Sequence, residues 1–80
     1  MAEVPTQAEI ERAILEVISG LNVRANEAFN VATVQMRLQQ RRFRADEING
    51  AFASLGEKGL IADAPTPGFR KLTDAGFAAL

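Results

Sequence analysis

The sequence predicts a mainly α domain with a three-helix core, a small β-hairpin and a short C-terminal helix. Three observations carry that expectation. Ile48, Ala51, Phe52 and Leu55 fall at the i, i+3, i+4, i+7 spacing of one helical face, and Lys58-Gly59 closes that face with the chemistry of a helix end. Leu60 and Ile61 then open an extended run, which Pro65-Thr66-Pro67-Gly68 can fold back onto Phe69–Leu72. Two further apolar stripes lie upstream, each preceded by a capping residue.

The elements follow in order. Thr6-Gln7-Ala8-Glu9 reads as a capping box, in which Thr6 accepts from the amide three residues on and Glu9 reaches back. Pro5 stiffens the approach. At about 100° per residue, Ile10, Ile14, Val17, Ile18 and Leu21 share roughly one quadrant of a helix, with Ala13 at its edge. The first helix is expected over Gln7–Ser19, with Gly20 as a left-handed stop. Leu15 lies off this stripe and is expected to be partly buried. Residues 1–5 are expected to be flexible.

Asn22–Phe29 connects to a second helix. Asn30 is its expected N-cap, Val31, Val34 and Leu38 mark its inner face, and it ends near Gln40. Gln39–Arg42 make the next turn, and Phe43 anchors that turn in the core. The third helix starts at Arg44-Ala45-Asp46-Glu47. A capping box would want Ser or Thr in place of Arg44, but Asp46 and Glu47 suit the positive end of a helix. Leu60–Ala64 and Phe69–Leu72 read as strands, with Pro67-Gly68 at the centre of a type II turn. Thr73 caps a last helix, Asp74–Leu80, which offers Phe77 and Leu80 to the core or to a partner.

Eighty residues make one domain of modest stability, and 48% hydrophobic with 24% charged residues describes a globular chain. There is no cysteine, hence no disulfide or thiolate metal site, and no histidine, the commonest acid–base group and metal ligand. No cofactor is implied. No apolar run is long enough to span a membrane, and Met1–Pro5 lacks the basic and apolar regions of a secretory signal. A cytoplasmic protein is therefore expected.

The net charge of −1 does not suggest a nucleic-acid partner, but its distribution is uneven. Residues 1–36 carry five acidic against two basic side chains. Residues 37–58 carry Arg37, Arg41, Arg42, Arg44 and Lys58 against three acidic side chains, and residues 59–80 balance. The cations gather at the turn before the third helix, and such an asymmetric field can steer a polyanion.

Two strings, Ala45-Asp46-Glu47-Ile48-Asn49…Leu55…Lys58-Gly59-Leu60-Ile61 and Leu72-Thr73-Asp74-Ala75-Gly76, together with the order of elements, resemble segments of bacterial winged helix-turn-helix transcription regulators. The resemblance covers about residues 7–80. It implies a winged helix-turn-helix domain, with a short strand around Val23 pairing with the later hairpin. It also implies duplex DNA as partner, contacted by the third helix and the wing.

Within that frame, Arg41, Arg42 and Arg44 on the turn, with Arg70 and Lys71 beside the wing, form a phosphate-contact set. Arginine forks onto phosphate oxygens without reading sequence. Asn49 is the base-reading candidate on an outer face (Glu47, Asn49, Gly50, Ala53, Ser54, Glu57) otherwise short of the side chains that read bases. The alternative is a protein–protein interaction module of the same fold, associating with itself or with a partner through Leu15, Met36 and Phe77. An enzyme is not expected. His, Cys and Tyr are absent, no phosphate loop or nucleophile elbow occurs, and the adjacent carboxylates Asp46 and Glu47 diverge on a helix.

Overall fold

Thr6 opens the first helix, α1 (Gln7–Gly20), and its Oγ1 accepts from the Glu9 N–H at 3.2 Å. This is a computed structural model, and it describes residues 5–80; the expected flexibility of residues 1–4 lies outside the described residues. The helix runs one turn position further than expected because the Leu21 N–H still bonds the Val17 and Ile18 carbonyls. The left-handed residue is consequently Asn22 (φ 60°), not Gly20. Asparagine is among the few residues that adopt this conformation routinely.

The strand expected around Val23 forms later, as β1 (Ala28–Asn30). Residues 24–27 are held in a turn: Arg24 N–H donates to Glu27 Oε1 and Glu27 N–H to the Arg24 carbonyl. The second half of this turn is where the chain first meets its partner strand, through Asn26 N–H to the Leu72 carbonyl and Leu72 N–H to the Glu27 carbonyl. Asn30 ends β1 and caps α2 (Val31–Gln40), its Oδ1 accepting from Ala32 N–H at 2.9 Å.

Residues 41–44 turn the chain into α3 (Ala45–Glu57). Glu47 closes its start by accepting the Arg44 N–H at 3.0 Å. That is half of a capping box, since an arginine side chain has no acceptor to complete it. Lys58 caps the far end and Gly59 takes the left-handed position (φ 75°), as expected.

β2 (Ile61–Asp63) and β3 (Phe69–Leu72) form the hairpin. Its turn closes with Phe69 N–H on the Thr66 carbonyl, and Gly68 has the φ of 82° that a type II turn requires at its third residue. The three strands form one antiparallel sheet in the order β1-β3-β2, with Phe29 opposite Arg70 and Asp63 opposite Arg70 on the other side.

The last helix, α4 (Asp74–Ala78), is two residues shorter than expected. Thr73 accepts from Gly76 N–H, donates its hydroxyl to the Gly59 carbonyl at 2.6 Å, and sends its N–H to the Leu60 carbonyl. Gly76 is buried so close to the Leu60 carbonyl that a Cβ there would overlap it. The string from Leu72 to Gly76 thus locks α4 onto the link between α3 and β2.

The core lies between α1, α2, α3 and one face of the sheet. Ile14, Ile18, Val34, Leu38, Ile48, Leu55, Ile61 and Leu72 are fully enclosed, while Leu15, Leu21 and Phe43 pack half-buried against it. Phe52 stacks on Phe29 of β1 with ring centroids 6.4 Å apart, so the sheet and α3 share an aromatic contact. Among the described residues no helix is long and apolar enough to cross a membrane.

Candidate nucleic-acid interface

Arg41, Arg42 and Arg44 are all exposed on the α2–α3 turn, as expected. Arg41 N–H closes onto the Leu38 carbonyl and Arg42 N–H onto the Gln39 carbonyl, while Phe43 N–H returns to the Leu38 carbonyl and seats its ring against the core. These bonds force Arg42 into the left-handed region at φ 71°. A non-glycine residue there costs roughly 1–2 kcal/mol relative to right-handed backbone. The three guanidiniums are only loosely engaged. Arg41 lies 3.4 Å from Glu16 and Arg44 lies 3.9 Å from Asp46, both pairs more than half exposed. Exposed pairs of this kind contribute about 0–1 kcal/mol and exchange readily for another anion.

Asn49 is exposed on α3, one turn in from Arg44 and adjacent to the buried Ile48. It has a partner that the sequence did not suggest: Gln35 of α2 donates its amide N–H to Asn49 Oδ1 at 2.7 Å. The Asn49 carbonyl oxygen keeps a second lone pair, and its NH2 keeps both donors. The carboxamide is therefore oriented without being used up.

Ser54 does not belong to the outer face of α3. It is half-buried and donates to Glu11 Oε2 at 3.1 Å, while Lys58 Nζ reaches Glu11 Oε1 at 2.6 Å. Glu11 is 6% exposed, a buried carboxylate tying α1 to the end of α3. Its position was readable in principle, since Glu11 stands three and seven residues before Ile14 and Ile18 on the same inner stripe. What remains outward on α3 is small or acidic: Asp46, Gly50, Ala53 and Glu57, beside Asn49.

Arg70 and Lys71 part company. Successive strand residues point to opposite faces. Arg70 shares a face with the core residue Leu72, and its Nη1 lies 3.6 Å from where a Cβ on Gly56 would stand. It occupies a groove between α3 and β2 that Glu57 and Asp63 also line. Lys71 projects from the other face of the sheet. The five cations expected to act as one phosphate set thus divide into the turn cluster, a single arginine against α3 with acidic neighbours, and a lysine facing away.

The apolar trio divides as well. Leu15 and Leu80 line one groove, and Phe77 and Leu80 line the next, with Ser19 common to both. Phe77 and Leu80 are 46% and 43% exposed. Met36, 58% exposed, lies two residues from Val34 and Leu38 and so points away from the face that α2 buries.

No family model, curated protein or solved structure matches the chain.

Proposed function

We propose that the chain is a small winged helix-turn-helix domain that binds duplex DNA in a cytoplasmic setting, with α3 in the major groove and the turn before it on a phosphate track. The observation that carries this reading is the turn itself: three exposed arginines in four residues, leading directly into the N-terminus of a helix that presents an oriented asparagine. The order of elements and the β1-β3-β2 sheet support it. The strained backbone at Arg42 supports it too, because glycine would meet the structural need there at lower cost but has no side chain to reach a phosphate. In this reading Arg41, Arg42 and Arg44 position the duplex, Asn49 reads a base edge, and Arg70 reaches the backbone from the groove beside the wing.

The test is a salt titration against random duplex DNA. Changing Arg41, Arg42 and Arg44 together to Ala removes up to three contacts, so the slope of log K against log salt should shrink in magnitude by about 2.7. The fold should survive, since all three side chains are exposed. Equal and negligible binding by wild type and triple variant at low salt refutes the reading. The protein-interaction module then stands in its place, favoured by the two adjoining grooves that Leu80 shares with Leu15 and with Phe77.

A further inference from the structure

α1 buries one face in the core, yet a second face of the same helix carries a pattern of its own. Ala8, Arg12, Leu15 and Ser19 are separated by four, three and four residues, the spacing at which two helices pack side by side. All four line a groove of about 480 Å³ between α1, the end of α3 and Leu80. Leu15 is half-buried at its centre. Arg12 is exposed and makes no ion pair among the described residues, and Glu16, on the same wall, holds only the loose Arg41 contact.

We propose that this groove receives α1 of a second copy of the chain, packed antiparallel about a two-fold axis between residues 13 and 14. The residues themselves select that arrangement. About such an axis, Ala8 meets the partner's Ser19, small against small, and Leu15 meets the aliphatic stem of the partner's Arg12. The guanidinium of Arg12 then reaches the partner's Glu16, and the symmetry repeats the pair. A parallel pairing would set Arg12 on the partner's Arg12 and Glu16 on the partner's Glu16. The charges therefore disfavour it. The result is an apolar centre flanked by two ion pairs, the anatomy of a protein interface. The inference is independent of DNA binding, and would hold for the interaction module equally.

Sedimentation velocity of the full chain over a hundredfold range of concentration tests it. Wild type should reach twice the chain mass. Because the symmetry doubles each contact, Arg12→Glu and Glu16→Arg should each weaken association by about tenfold. The double variant R12E/E16R should regain it, since each reversed charge again meets its opposite across the axis. Arg41→Ala, which releases Glu16 from its contact within the chain, should leave association intact. Circular dichroism should stay native throughout, as Arg12 and Glu16 are exposed. Should a single reversal unfold the chain, Leu15→Asn offers the same readout and should also weaken association. A monomer at every concentration, a dimer indifferent to the single reversals and to Leu15→Asn, or a double variant that does not recover overturns the proposal.

Discussion

One substitution placed at two glycines should move stability in opposite directions. At Gly76 an added Cβ would overlap the Leu60 carbonyl oxygen and stand 2.7 Å from Leu72 Cδ1. One obstacle is backbone and the other belongs to a fully enclosed side chain, so neither yields easily. Forced overpacking costs about 1–3 kcal/mol. Lifting α4 away would also strain the two bonds from Thr73 to the Gly59 and Leu60 carbonyls, each contributing about 0.5–1.5 kcal/mol. Alanine's better helix propensity returns only about 0.5–1 kcal/mol. Gly76→Ala should therefore destabilise by about 2–4 kcal/mol, a large part of what so small a domain possesses. At Gly50, in the exposed middle of α3, nothing lies within 4 Å of the new Cβ. There the propensity term acts alone, and Gly50→Ala should stabilise by about 0.5–1 kcal/mol. Urea denaturation resolves both. With a slope of about 1 kcal/mol/M, the midpoints should fall by 2 M or more and rise by about half to one. A loss below 0.5 kcal/mol at Gly76, or a comparable loss at both glycines, would refute the packing argument.

Two further substitutions probe the core and the amide pair. Phe52→Ala should cost about 3–5 kcal/mol, because it removes a ring that is 3% exposed and stacked on Phe29; a loss under 1 kcal/mol in chemical denaturation would mean that the face is wrongly assigned. In the DNA-binding reading, Asn49→Ala should relax preference at one base pair by about 1–3 kcal/mol while leaving the salt slope unchanged, and Gln35→Ala should relax the same position by less, since it frees the Asn49 carboxamide without removing it. Selection from a library of randomised duplexes reads both variants. A preference unaltered by Asn49→Ala counts against base reading by this residue.

What could be read in advance followed from local chemistry. The three long helices announce themselves because their buried residues recur at helical spacing, and because Thr6, Asn30 and Lys58-Gly59, like Thr73 before the short α4, are local signals that need no knowledge of the rest of the fold. The Pro67-Gly68 turn was legible for the same reason. β1 was not. It has three residues and one buried side chain, Phe29, and exists because β3 lies beside it. A strand defined by its partner leaves almost no period of its own to detect. The end of α1 misled in a related way, since Gly20 suits a left-handed stop but the backbone bonds carry the helix past it to Leu21.

The candidate site divides along the same line. That three arginines sit on the turn follows from their position between two helical stripes. That Arg42 is the strained one does not, because the strain arises from where Phe43 must go to reach the core. The separation of Arg70 from Lys71 is the period of a strand and was available from the sequence once Phe69–Leu72 was recognised as one. The Gln35–Asn49 pair joins two helices across fourteen residues, and Glu11 with Lys58 joins two across forty-seven. Both link side chains that are unremarkable in sequence, and they bear on different questions. The first pair sets the amide that would face a base. The second fixes α1 against the end of α3, and so holds the groove wall on which Arg12, Leu15 and Glu16 are displayed. Docking α1 therefore does two things at once: its inner stripe completes the core, and its outer seam is held rigid enough to present a self-complementary surface. A mutation that loosened Glu11, which itself lines that groove, would be expected to weaken self-association, whereas one at Asn49 would leave self-association alone.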